Sequence, residues 1–283
     1  MSQLSDLVDP SAILLDVPAT DWREAMRHSG DLLVSTGATT TSYTDAMIRT
    51  VEEHGPYIVI APGFALAHSR PDESVLRTAM SFVRLAEPIP FGNAANDPVT
   101  LVMALAAADS SAHQGSLAAL AGVLADPESR RALDEASTPA EVLTALGADG
   151  PRDDDGMRGI VRTRDPDGHH RTRAAGEGPA VVDPDAVPSK SLILTVCGNG
   201  LGTSLFLKNT AEQVLDRWGW SPYLDIEATD TISARGRAKE ADVILTSGAI
   251  ADTLGEVGVP VEVIENFTSQ TEIDAVLRRV YAV

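Results

Sequence analysis

Apolar positions along the chain fall into two patterned stretches, separated by one without pattern. In the first, Trp22, Ala25, Met26, Leu32 and Leu33 recur at helical spacing behind Asp21 and Glu24, a capping-box-like start, and Gly37 stands near the expected end. A second helix is predicted over 42–54, stopped by Gly55-Pro56. Tyr57-Ile58-Val59-Ile60-Ala61 reads as a buried strand ended by Pro62-Gly63. Further strands are expected at 79–85 and 99–107, and helices at about 110–124, 127–135 and 140–146. This order of strands and helices implies an α/β domain with a mixed sheet.

The second patterned stretch opens with Leu192-Ile193-Leu194-Thr195-Val196, an apolar and β-branched run of strand length. A glycine-rich turn follows, then a helix from about 203 to 218 that turns Leu205, Leu207, Ala211, Val214 and Leu215 inward. Strands at 223–228, 243–246 and 261–264 and a closing helix at 271–281 complete it. The alternation implies a four-stranded parallel sheet with right-handed crossovers. From 147 to 189 the periodicity stops, and runs such as Pro151-Arg152-Asp153-Asp154-Asp155-Gly156 take over. That composition cannot bury enough apolar surface to offset chain entropy, so it reads as a flexible linker. His169-His170 within it, with no further Cys or His nearby, read as solvated loop residues. The expected organisation is therefore a domain at 1–146, a linker at 147–189 and a domain at 190–283.

Chemistry concentrates first at Cys197, the only cysteine, where the strand meets the turn Gly198, Asn199, Gly200, Leu201, Gly202, Thr203 and Ser204. Turn amides and the positive end of the helix dipole converge there, which favours an anion and a nucleophilic thiolate. A buried structural cysteine has no need of three glycines in the next five positions. A nucleotide P-loop is excluded, because no lysine precedes Thr203 or Ser204. The dinucleotide fingerprint starts well, but Thr203 stands where its third glycine belongs; Asp225 or Glu227 still offers a ribose-binding acid, so that reading stays open. A tyrosine-phosphatase loop needs an arginine six residues after the cysteine, and Thr203 occupies that place. Without that cation, attack by water is poorly stabilised, so a phosphoryl group on Cys197 would be held for transfer.

Composition narrows the partners. The 283 residues suit two medium domains, and 43% hydrophobic content is ample for two cores. A net charge of −19 argues against nucleic acid or an anionic membrane face. One cysteine excludes an intramolecular disulfide framework and suits the cytoplasm. The N-terminus Met1-Ser2-Gln3-Leu4-Ser5-Asp6 lacks signal-peptide character, and no apolar run reaches membrane-spanning length.

Two histidines in the first domain are candidates. His68 falls in a Pro/Gly-interrupted loop after a buried strand, and His113 near the start of the helix that follows the strand at 99–107. Helix starts lie near strand ends in α/β folds, which can bring the two together. A neutral imidazole accepts a phosphoryl group, and a second can donate a hydrogen bond to it. A surface loop histidine and a capping histidine remain the plain alternatives. Asn93 reads as a turn residue beside this region, and His28 and His54 as structural.

Val196-Cys197-Gly198-Asn199-Gly200-Leu201-Gly202-Thr203-Ser204 resembles the phosphocysteine loop of enzyme IIB of the bacterial sugar phosphotransferase system (PTS), in a form most similar to ascorbate-type IIB proteins. That resemblance covers residue 191 onward. It implies a Rossmann-like fold akin to low-molecular-weight tyrosine phosphatases. Gly55-Pro56-Tyr57-Ile58-Val59-Ile60-Ala61-Pro62-Gly63, with Ala65-Leu66-Ala67-His68-Ser69-Arg70-Pro71, resembles the active-site segment of enzyme IIA of the mannitol/fructose superfamily, closest to ascorbate-type members. This second resemblance covers about 4–146. On it, His68 takes the place of the phosphorylated histidine, while His113 and Arg49 match the partner histidine and arginine that stabilise the phosphate. Arg49 has the charge and paired N–H donors for that, although an arginine on a helix is more often a solvated face residue. Ser247-Gly248 is expected at the same sheet edge as Cys197; Ala249-Ile250-Ala251-Asp252 adds nothing to the ascorbate likeness and leaves the sugar open.

Together the resemblances imply a phosphotransferase that needs no cofactor or metal. Phospho-HPr would load His68, His68 would pass the group to Cys197, and Cys197 would phosphorylate a sugar or sugar acid held by a membrane IIC permease. Two other readings stand: a regulatory phosphoprotein in which Cys197 is vestigial, and an NAD-binding oxidoreductase.

Overall fold

The computed structural model describes residues 4–70, 72–108, 110–147, 190–197 and 203–283, without the side chains of 110–115 and 118. The expected linker, apart from Gly147, lies outside the described residues, as do His169 and His170. The first domain runs β1 (Val8–Val17), α1 (Trp22–Ser35), α2 (Thr41–His54), β2 (Val59–Ala61), β3 (Phe64–His68), β4 (Ala79–Ile89), β5 (Val99–Ala106), α3 (Ser110–Ala125), α4 (Pro127–Glu135) and α5 (Pro139–Ala145). Its five-stranded sheet has the order β1-β4-β5-β3-β2. The β1/β4 and β3/β5 pairs are parallel, β4/β5 and β2/β3 antiparallel, so the sheet is mixed.

Both sheet faces are covered. Phe64, Leu66, Phe82 and Met103 point to one layer with Leu117, Leu120 and Leu133 of α3 and α4. Ala65, Ala67, Val83 and Val102 point to the other, against Met26, Leu33 and Met47 of α1 and α2. Each fully buried Phe, Leu or Met side chain contributes about 1.5–3 kcal/mol. The first helix starts as its sequence predicts, with Asp21 Oδ1 accepting from Glu24 N at 2.9 Å. The reciprocal arm lands one residue earlier than a capping box requires: Glu24 Oε2 accepts from the amide and hydroxyl of Thr20, both at 2.7 Å.

Two strands depart from the sequence reading. β1 is not among the predicted strands; its Asp9-Pro10 start breaks alternation, which an edge strand tolerates because one side needs no ladder donor. The predicted strand at 57–61 shortens to β2, and a separate β3 follows it. Pro62-Gly63 is a hairpin turn between them, Gly63 supplying the positive φ of +70°. His68 is therefore the last residue of a central strand rather than a loop residue.

The second domain runs β6 (Leu192–Cys197), α6 (Ser204–Trp218), β7 (Asp225–Asp230), α7 (Thr231–Arg237), β8 (Val243–Thr246), α8 (Gly248–Leu254), β9 (Val261–Val263) and α9 (Gln270–Tyr281). Its sheet, β7-β6-β8-β9, is parallel throughout. Ile193, Val243 and Leu245 pack with Phe206 and Leu207 of α6 and Ile273 and Leu277 of α9. Leu194, Val196 and Ile244 pack with Ala234, Ile250 and Leu254 on the opposite face. The protein is thus a two-domain α/β structure.

The domains are docked. Residues of both contribute to each apolar cluster, and α3 lies against α6. β2 is an edge strand, and the segment after β9 covers it: Phe267 N donates to Ile60 O at 2.9 Å. Thr210 Oγ1 donates to Phe267 O at 2.7 Å, so α6 holds the same segment from behind. Asn96, 3% exposed, donates from Nδ2 to Val59 O and, at 2.8 Å, to Glu265 O. Covering an edge in this way removes a template for unwanted strand pairing.

Two outcomes follow from these contacts. Asn96→Ala removes one cross-domain donor, worth about 1 kcal/mol, and should speed hydrogen exchange at the Phe267 amide by about fivefold. Within the first domain, a Cβ on Gly30 of α1 would meet Thr44 Oγ1 at 2.3 Å and Cβ at 2.9 Å. Thr44 is β-branched and has little freedom to turn away. Gly30→Ala should therefore lose about 1–3 kcal/mol in urea unfolding, despite a helix-propensity gain of about 1 kcal/mol.

Candidate active site

His68 sits at the C-terminal end of β3, in register with Leu105 of β5. It shares the pleat face of Phe64 and Leu66, the face covered by α3. Its side chain is enclosed: the residue is 1% exposed. Nδ1 lies 3.0 Å from Leu66 O, and a carbonyl only accepts, so Nδ1 carries the proton and Nε2 keeps the lone pair. Burial pushes the imidazole pKa down, against a smaller upward effect of the Leu66 bond. The ring is neutral near pH 7, as a nucleophile requires.

Two tyrosines that the sequence reading did not single out shape this position. Tyr43 of α2 donates from its hydroxyl to Leu105 O at 2.6 Å and accepts from Ser69 N at 3.2 Å. It thereby pins the residue after His68 to the strand beside it, and burial raises its own pKa to about 12. Its spacing to Met47 and Val51 marks it as a core position. A hydroxyl on that apolar face signals a polar partner inside the domain. Tyr57, between α2 and β2, meets the His68 ring edge-on with centroids 5.8 Å apart, and the His54 ring lies tilted to it at 6.3 Å.

Cys197 ends β6 opposite Asp230 of β7 and is 1% exposed. Its thiol donates to Ser204 Oγ at 3.3 Å. Ser204, fully buried, is the first residue of α6, and its carbonyl accepts from Thr195 Oγ1 at 2.9 Å. The helix start is thus stitched to the strand that carries the cysteine. Thr246 Oγ1 donates to Val196 O at 2.7 Å and fixes the end of β8 beside it. Thr203 is buried at the N-cap of α6 and makes no side-chain cap bond. Gly198, Asn199, Gly200, Leu201 and Gly202 lie outside the described residues.

Tyr57 meets the end of β3 at His68 and lies within electrostatic reach of Cys197 at the end of β6. Burial raises the Tyr57 pKa well above that of an ordinary phenol, and negative charge on Cys197 would raise it further. Tyr57 also lines an interdomain cleft of about 350 Å³ together with Asn93, Ser247, Gly248 and Asp252. Ser247 and Gly248 follow β8 at the edge where β6 ends in Cys197, as the sequence predicts. Asn93 is a turn residue: Oδ1 accepts from the amides of Ala95 and Asn96, both at 3.2 Å.

The remaining candidates are placed less directly. Arg49 is exposed on α2, and its charge acts on Asp72, four residues beyond His68. His113 lies in the first turn of α3, and its side chain falls outside the described residues. Of the two acids the dinucleotide reading offers, Glu227 is taken by Arg237 in an ion pair of 2.5 Å, whereas Asp225 is exposed at the start of β7.

Comparison with known proteins gives this arrangement its context. Residues 6–148 match the family of the phosphoenolpyruvate-dependent sugar phosphotransferase system, EIIA 2. Residues 192–279 match the lactose/cellobiose specific IIB subunit of the same system. The ascorbate-specific PTS system EIIA component of Escherichia coli is 36% identical over 147 residues, which are 52% of this chain and 96% of that protein. The component of the same name in Salmonella typhimurium is 40% identical over 114 residues, 40% of this chain and 74% of that protein. Among solved structures, the mannitol-specific cryptic phosphotransferase enzyme IIA CmtB from Escherichia coli is similar at 31% identity, covering 51% of this chain and 98% of that chain with a TM-score of 0.48. The chain belongs to the EIIA 2 family of the sugar phosphotransferase system and carries a IIB domain behind its IIA domain, which makes it a phosphotransferase.

Proposed function

We propose that the chain relays a phosphoryl group from phospho-HPr to His68, from His68 to Cys197, and from Cys197 to an ascorbate-like sugar acid held by a membrane IIC permease. The ascorbate-specific EIIA relatives support the choice of sugar, and the work is done in the cytoplasm at the inner face of the membrane. One observation supports the reading: Tyr57 meets the His68 ring edge-on and lies within electrostatic reach of Cys197 across the docked domains.

Each step is an in-line displacement governed by position and charge. Neutral His68 offers the Nε2 pair to the phosphorus. Once phosphorylated, the ring holds both the N–P bond and the Nδ1–H bonded to Leu66 O, and so becomes cationic. A cationic imidazole is a good leaving group. The Cys197 thiol gives up its proton to solvent, the thiolate forms the S–P bond, and the N–P pair returns to Nε2, leaving the neutral ring. The Ser204 hydroxyl can then reverse its role and donate to the sulfur. Gly198, Asn199, Gly200, Leu201, Gly202, Thr203 and Ser204 are assigned to the phosphate on the sulfur. His113 and Arg49 are assigned to the phosphate on His68.

Incubation with phosphoenolpyruvate, enzyme I and HPr, followed by intact mass without acid, tests the order of acceptors. The wild type should gain two phosphoryl groups, Cys197→Ser one and His68→Ala none. A wild type that gains nothing sinks the relay. A single group in both the wild type and Cys197→Ser would instead make the chain a phosphoprotein signal.

The buried imidazole also predicts a pH dependence. Its folded pKa is below the unfolded value of about 6.5, so the unfolded chain binds the proton more readily in acid. The stability that neutral His68 contributes is present above about pH 6.5 and is lost as pH falls towards its folded value. Thermal unfolding between pH 7.5 and pH 5 should show a smaller drop in Tm for His68→Gln than for the wild type. Parallel curves would overturn the prediction.

A further inference from the structure

Tyr57 carries a polar atom that the fold does not use. The residue is 3% exposed, its hydroxyl oxygen is shut off from solvent, and it has no hydrogen-bond partner among the described residues. By contrast, Tyr43 lies equally deep and engages Leu105 and Ser69. A buried phenol without an acceptor costs free energy that phenylalanine would avoid. The hydroxyl is also placed where an acceptor arrives. Its ring stands edge-on to the imidazole of His68, it lies within electrostatic reach of Cys197, and it borders the cleft shared with Ser247 and Gly248.

We propose that Tyr57 is a catalytic residue of the His68-to-Cys197 step, its hydroxyl donating a hydrogen bond to an oxygen of the phosphoryl group in transit. This inference rests on the relay reading above. A phosphoryl group brings three strongly accepting oxygens beside a hydroxyl that solvent does not reach, where a preorganised donor is most effective. Burial keeps the phenol protonated throughout, so it donates without ionising. The bonds exchanged are those of the relay: N–P breaks and its pair returns to Nε2, while the thiolate pair forms S–P. Tyr57 keeps its proton at both ends of the step.

The test separates loading from internal transfer. Rapid-quench intact mass would follow first phosphorylation of His68 by phospho-HPr, then passage to Cys197, in wild type, Tyr57→Phe and a protein with 3-fluorotyrosine at position 57. Tyr57→Phe should load His68 within about twofold of wild type and transfer to Cys197 at least about tenfold more slowly. Its Tm should equal or exceed that of wild type, because no folded-state bond is lost. Fluorotyrosine keeps the ring and strengthens the donor, so it should transfer at least as fast as wild type. Transfer by Tyr57→Phe at the wild-type rate, or a Tm several degrees lower, would overturn the assignment. If Tyr57→Phe does not fold, slow transfer by the fluorotyrosine protein would overturn it. Failure of the relay itself looks different: wild-type His68 would load and never pass its phosphate to Cys197.

Discussion

One backbone bond, from the amide of Phe267 to the carbonyl of Ile60, joins the two halves of the molecule at their most sensitive point. An edge strand must be covered or it will pair with whatever arrives, and here the cover is supplied by the other domain. β2 is short and hairpinned to β3, so whatever holds β2 also holds the strand that ends in His68. Thr210 grips the far side of the same segment and Asn96 fastens the residue beside it. Without this contact His68 and Cys197 would belong to separate surfaces. With it they share a junction.

The chemistry at that junction comes from small local devices. A carbonyl two residues back chooses the tautomer of His68, because it leaves Nδ1 no role except donor. Burial then keeps the ring neutral. On the other side, a strand end, a buried serine and a helix start are tied together by Thr195, which sets the sulfur against a hydroxyl able to donate or accept. Neither arrangement needs an extended network. Each uses the enforced closeness of residues within one strand–turn unit.

Much of this was legible in the amino-acid sequence where pattern and chemistry agree. The run from Leu192 to Cys197 is apolar, of strand length and followed by glycines, and it forms β6 with α6 behind it. Asp21 announces the start of α1 and does cap it. Pattern failed where tertiary context decides. Ala65-Leu66-Ala67 is buried on both sides and has no alternation to betray a strand, so the neighbouring Pro62-Gly63 suggested a loop. β1 contains Asp9 and Pro10, which only its place at the sheet edge makes tolerable. Tyr57 escaped notice because its ring fits a strand pattern equally well. Only the surroundings of its hydroxyl, set by residues more than a hundred positions away, distinguish it from an ordinary core aromatic.

The near-complete enclosure of His68 has a consequence for traffic through the site. Water does not reach the imidazole in this form, so a group carried on the ring would be shielded from hydrolysis. The same wall bars entry. Anything that exchanges a group with Nε2 must first part that wall, so the closed form acts as a door on the site.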